Sequence, residues 1–123
     1  IRNFKVMVDE PEDAGGTNAA PNPIEYLLLA LAGCMNATIR KIAKERGVKI
    51  DSMQLTVTGS LNPARFAGIV KTGRAGLTSI NVELSISTSA PRDVINDIVK
   101  EAEGRCPVHD TLTEGTQVKI ITK

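Results

Sequence analysis

From Ile24 to Met35 the chain carries a single charge, Glu25, among residues that are otherwise apolar or small. Asn22-Pro23 stands directly ahead of this run. An asparagine side chain can accept a hydrogen bond from a first-turn N–H, and proline at the first helical position loses nothing by lacking one. The pattern predicts a helix over Ile24 to Arg46 that stops at Gly47, with Lys41, Lys44 and Arg46 placed where the macrodipole favours cations. Its second half, from Thr38, is amphipathic, but its first half is apolar around the whole circumference. Such a segment must be buried on every side. A chain of 123 residues has little material left with which to surround it, so a second copy covering one face, a homodimer, is expected.

The remaining elements follow from periodicity. Asn3 to Asp9 alternates, with Phe4, Val6 and Val8 on one side, and reads as a strand. Glu10 to Pro23, rich in Gly, Pro and Asn, reads as a turn region. Met53 to Leu61 alternates with Met53, Leu55 and Val57 inward, and Ile80 to Ile86 does so with Ile80, Val82, Leu84 and Ile86 inward. Asn62 to Gly76 between them reads as a loop or hairpin region. Pro91 to Glu103 carries a helical stripe of Val94, Ile95, Ile98, Val99 and Ala102, with Gly104 as its stop. A short helix is expected from Cys106-Pro107, and Gln117 to Thr122 is expected to close the chain as a strand. The order defines one α+β domain over residues 1–123. The first residue is Ile1, so a few residues are expected to precede it.

Bulk composition narrows the function. Fifteen Lys and Arg against 14 Asp and Glu give a net charge of +1, without the basic excess of a nucleic-acid binder. The only aromatics are Phe4, Tyr26 and Phe66, too few for base stacking. The longest apolar run, Tyr26 to Met35, is about half of the roughly 20 residues a membrane-spanning helix needs. No nucleic-acid or membrane partner is expected, and two cysteines without a CxxC pair point to a cytoplasmic protein and not to a disulfide-dense secreted scaffold.

Those cysteines carry the chemistry. Cys34 lies inside the apolar half-helix, where a cysteine acts as a small buried hydrophobe. Cys106 follows a helix stop and precedes Pro107, which makes it the N-cap of a new helix. Unpaired N–H groups and the helix dipole at that position favour a thiolate and lower its pKa. The pair reads as a redox couple, as an inert structural disulfide, or as two unrelated core cysteines, and spacing does not choose among them.

Two motifs bear on the choice. The segment from Asn22-Pro23-Ile24-Glu25-Tyr26 to Ala32-Gly33-Cys34 resembles the helix signature of the OsmC/Ohr family, the osmotically inducible and organic hydroperoxide resistance proteins. Arg105-Cys106-Pro107-Val108-His109-Asp110 resembles that family's second cysteine motif, and Gly15-Gly16-Thr17 fits upstream. The resemblance implies an α+β fold with a long central helix packed on curved antiparallel sheets, in an intertwined homodimer. It also implies a thiol peroxidase that reduces organic hydroperoxides in oxidative-stress defence, with Cys34 as the peroxidatic thiol and Cys106 as the resolving one. A dithiol reductant is the implied partner. No cofactor is expected, since nothing in the chain binds a nicotinamide or a flavin. In the family's best-studied branch an Arg and a Glu hold the thiolate, the Glu following Asn-Pro directly. Here Ile24 takes that place and Glu25 comes next. Nine residues, about 13 Å of helix, separate Glu25 from Cys34, so Glu25 serves either a second subunit's thiol or only the dipole of its own helix. Arg2, Arg40 and Arg105 are the candidates for the arginine.

Two other readings compete. Cys34, Cys106 and His109 could converge on a metal ion, although one His and two Cys make a sparse ligand set. Alternatively, the apolar half-helix could wall a pocket for an apolar small molecule in a non-catalytic module.

Overall fold

The computed structural model describes residues 1–123. Helix α1 (Pro23–Glu45) begins as its sequence predicts. The Asn22 side chain accepts the Glu25 N–H at 2.9 Å, and the Glu25 carboxylate accepts the Asn22 N–H at 2.8 Å. Two otherwise orphaned donors are satisfied by this reciprocal pair. At the other end Gly47 takes φ +68°, a left-handed conformation that costs glycine little, and the Val48 N–H donates to the Ala43 carbonyl at 2.8 Å.

Along α1, Leu31, Met35, Ile39, Ile42 and Ala43 recur at helical spacing and are buried. Helix α3 (Arg92–Arg105) packs against this stripe through Ile98 and Ala102. Its last turn leads straight into Cys106 and helix α4 (Pro107–Glu114), which returns to lie against α1. Strands β1 (Ser52–Ser60) and β2 (Ser79–Ser87) form one antiparallel pair, with Met53 opposite Ile86, Leu55 opposite Leu84 and Val57 opposite Val82. Their inward residues pack on the helical core as the alternation predicts, although Val82 is exposed. The architecture is α+β, a long helix with a small antiparallel sheet. No helix is long and apolar enough to cross a membrane.

Several elements differ from expectation. The strands expected at Asn3–Asp9 and Gln117–Thr122 do not form, and the sheet has only two strands. A strand needs a neighbour for its N–H and C=O groups, and this chain lays none beside either segment. Phe4 is left 66% exposed and Ile120 86% exposed. Helix α3 passes through Gly104 to Arg105, because the Arg105 side chain is tied to Glu45 and Glu101 and draws the last turn along with it. In the region between the strands, Asn62 caps a one-turn helix, α2 (Pro63–Phe66), by the same Asn-Pro device that starts α1. The apolar half of α1 is not enclosed on every side: Leu29 is 61% exposed, and Ala30, Gly33 and Ala37 lie open along the same stripe.

The turn region before α1 is organised by Asp9. Its carboxylate accepts the Thr17 hydroxyl at 2.6 Å and the N–H groups of Thr17 and Ala19 at 3.1 and 2.8 Å. These bonds, the Thr17 hydroxyl first, hold its pKa well below the usual carboxylate range. Gly16 is required here, because a Cβ would stand 1.9 Å from the Glu10 carbonyl oxygen. The Tyr26 hydroxyl donates to the Met7 carbonyl and fastens the N-terminal segment to α1.

Ile39 is fully enclosed at the crossing of α1 and α3. Ile39→Ala is therefore expected to cost about 2–5 kcal/mol, as core truncations do, read as a lower urea midpoint with an unchanged slope.

Candidate active site

The crossing of α1 and α4 brings the two cysteines together. Both are free thiols, Cys34 half-buried on α1 and Cys106 completely buried at 0% exposure. Cys106 is held from two directions. Its N–H donates to the Ala102 carbonyl at 2.9 Å and ends α3, while its Sγ accepts the His109 N–H at 3.4 Å and caps α4. The neighbouring Cys34 packs against the buried cluster that contains it.

The electrostatics of Cys106 are the reverse of the sequence expectation. Burial pushes its thiol pKa up, and Cys34 pushes the same way by hydrogen bonding and by charge. The N–H groups of His109 and Val108 pull it down, but the sum is a raised pKa. Helix-terminal stabilisation of a thiolate is a partial-charge effect, whereas desolvation acts on the full charge. Here desolvation wins. Cys106 is a protonated, protected thiol, and Cys34 is the thiol that solvent can reach.

The charged candidates lie elsewhere. Arg105 donates to Glu45 at 2.8 and 3.1 Å and to Glu101 at 2.7 Å, and Glu101 also receives Arg46. Both carboxylates are held below the usual range, chiefly by the Arg105 side chain. This network clamps the ends of α1 and α3 together one residue ahead of Cys106 and commits Arg105 to carboxylates. Arg40 donates to Asn36 at 3.2 Å, and Arg2 lies over the Phe4 ring at 5.1 Å. Glu25 is engaged in the capping box. No three His, Cys, Asp or Glu side chains converge in an arrangement that could hold a metal ion.

Between α1, β2 and α4 there is a cavity of about 430 Å³, walled by Ile24, Leu27 and Leu31 of α1, by Leu77 and Ile80, and by Leu112 of α4. Its charged lining side chain is Arg74, and the His109 side chain also lines it. Leu31 lies one helical turn before Cys34, and His109 one turn after Cys106.

Comparison with known proteins places this arrangement. The sequence model of the OsmC-like protein family matches residues 16–121. The chain belongs to the OsmC-like family. Its relatives include the hydroperoxide reductase of Mycoplasma pneumoniae, 32% identical over 100 residues, a match covering 80% of this chain and 66% of that protein. The hydroperoxide reductase of Mycoplasma genitalium is 25% identical over 121 residues, covering 96% of this chain and 79% of that protein. Among solved structures, the OsmC-like protein from M. pneumoniae superposes with a TM-score of 0.77 at 27% identity, covering 89% of this chain and 73% of that one. The chain thus spans 66% and 79% of the length of these two curated relatives. Both cysteines of this OsmC-like chain lie within the matched span.

A raised folded-state pKa means that Cys106 stabilises the fold fully below the unfolded thiol pKa of about 8.5. That contribution is lost as pH rises through the folded value. Melting temperatures measured from pH 7 to 10 should therefore fall more steeply in the wild type than in Cys106→Ala. Parallel curves would mean that Cys106 is not desolvated.

Proposed function

We propose that this OsmC-like chain is a thiol peroxidase that reduces organic hydroperoxides, with Cys34 as the peroxidatic and Cys106 as the resolving thiol. The observation that carries the reading is the adjacency of two free thiols that differ in access: the reachable one lies on α1, and the buried one, its pKa raised by desolvation, lies beside it. A hydroperoxide entering from solvent meets Cys34. Its thiolate attacks the terminal oxygen, the O–O bond breaks, and one proton is taken up by the leaving oxygen, giving an alcohol and a Cys34 sulfenic acid. Cys106 then attacks the Cys34 sulfur through its own sulfur, the S–OH bond breaks, and water leaves with the Cys106 proton. An external dithiol reduces the resulting disulfide by exchange, becoming a disulfide itself. The names of the Mycoplasma relatives, hydroperoxide reductases, support the same assignment.

The order of the two thiols follows from the same burial. A resolving thiol kept protonated and out of solvent does not compete for peroxide, and it sits where the sulfenic acid forms. Steady-state reduction of cumene hydroperoxide with a dithiol should be abolished in Cys34→Ser. In Cys106→Ser a sulfenic acid should accumulate on Cys34 and be captured by dimedone. Unimpaired turnover in Cys34→Ser would refute the assignment. A competing reading, a non-catalytic module that holds an apolar molecule, draws on the cavity beside α1 and expects both thiols to survive peroxide.

The working form in this reading is a homodimer. A small core of eight buried residues leaves much apolar surface uncovered: Leu29 with the small residues of its stripe, and the unpaired segments at 3–9 and 117–122. A second copy would cover the stripe and supply neighbours for both segments. Glu25 reaches a thiol only across such a boundary, so any catalytic part for it belongs to the dimer. Light scattering at micromolar concentration is expected to give twice the chain mass, and Leu29→Lys to shift it towards a single chain. A wild-type monomer would remove this part of the proposal.

A further inference from the structure

Two consecutive residues, Arg105 and Cys106, hold one side of α1. Cys34 and Glu45 are 11 positions apart on that helix (45 minus 34), which puts them about 20° from each other around it and about 16 Å apart along it. Cys106 is packed into the core of α1 and α3, and Arg105 beside it donates to both Glu45 oxygens, at 2.8 and 3.1 Å. This is the forked, two-bond geometry in which a guanidinium holds a carboxylate best. The same guanidinium donates to Glu101 at 2.7 Å, and Glu101 in turn receives Arg46, the C-cap of α1. The chain entering Cys106 is thus tied to the last two residues of the α1 end. On the far side of Cys106 nothing comparable exists. The side-chain hydrogen bonds of α4 stay within α4 or run to Cys106, it makes no ion pair, and none of its residues is fully buried. Val108 and Leu112 are the residues that pack it on the core.

A helix of eight residues held by two apolar side chains opens locally at modest cost, and each opening uncovers Cys106. We propose that Arg105 is a positioning residue: its bonds to Glu45 and Glu101 latch the start of α4 against α1, keep Cys106 closed to solvent and hold it ready for the Cys34 sulfenic acid. Exposed ion pairs add little to global stability, but this network sits where local opening begins. Resting on the peroxidase reading, the latch acts on the second chemical step. There the S–S bond forms, the S–OH bond breaks, and the Cys106 proton leaves with the hydroxyl as water. That step needs the two Cα atoms about 4.4–6.8 Å apart, a window that an undocked α4 leaves. The attack of Cys34 on peroxide lies outside the latch, because α1 itself holds Cys34.

The test uses the full reduced chain, first without peroxide. Iodoacetamide labelling under native conditions, read by peptide mass, gives separate rates for Cys34 and Cys106. In Arg105→Gln the Cys106 rate should rise about fivefold, the scale of a small ionic network, with the Cys34 rate unchanged. Arg105→Lys keeps the charge but loses the fork, and its rate should fall between the two. Adding Glu45→Gln to Arg105→Gln should change nothing further, since both remove one contact. Salt at about 1 M, where the Debye length is about 3 Å, should raise the Cys106 rate in the wild type and not in Arg105→Gln. With cumene hydroperoxide added, Arg105→Gln should oxidise Cys34 at the wild-type rate. Disulfide formation should slow about fivefold, and dimedone should capture more sulfenic acid. An unchanged Cys106 labelling rate, or a slowing of both oxidation steps together, would overturn the latch. If labelling responds as stated but no thiol is oxidised in any variant, the peroxidase reading fails and the latch stands. If Arg105→Gln forms the disulfide at the wild-type rate, the latch fails and the peroxidase stands.

Discussion

Helix α1 is apolar on more sides than one small chain can cover, and most of the structure answers that constraint. One face, Leu31 through Ile42, is covered by α3, and this contact forms the core. Because α3 ends and α4 begins at Cys106, the packing that buries Ile98 and Ala102 also brings Cys106 into the core against α1, where Cys34 lies. The salt-bridge network of Arg46, Glu45, Glu101 and Arg105 contributes little stability in solvent, as exposed pairs generally do, but it sets where α3 ends. Fold and site are thus one arrangement: the residues that stabilise the core also set the distance between the thiols.

The two cysteines also show how position and environment can oppose one another. A helix N-terminus favours a thiolate, and Cys106 receives the N–H groups that do so. Complete burial next to another thiol outweighs them. In the proposed cycle the opposition is useful, because a resolving thiol must stay reduced until a sulfenic acid appears beside it. In that cycle the half-buried neighbour on α1 takes the first encounter.

Much of this was legible from the residues alone, and the exceptions have physical causes. Asn22-Pro23 with Glu25 marks the start of α1 because a capping box is a local device, and the alternation in β1 and β2 survives because each strand finds the other. The segments at 3–9 and 117–122 alternate equally well but have no neighbour within the chain; periodicity reports which face wants burial and says nothing about what will cover it. Gly104 reads as a stop because glycine weakens a helix by roughly 1 kcal/mol, but α3 runs one residue past it to Arg105, whose side chain is tied to Glu45 and Glu101. Cys106 was identified as an N-cap, but its burial depends on α1 lying across it, a contact between residues far apart in sequence. The apolar half-helix marks one wall of a pocket, but the loop, the strand and the second helix that complete the cavity meet it only in the fold.

The central claim is that Cys34 and Cys106 are one redox couple within a single chain. The most direct measurement is peptide mapping without reductant after one equivalent of cumene hydroperoxide. The account predicts a single disulfide-linked peptide pair containing Cys34 and Cys106, formed with loss of both thiols and at a yield independent of protein concentration. Two intact thiols, or a disulfide that joins different chains and grows with concentration, would contradict it.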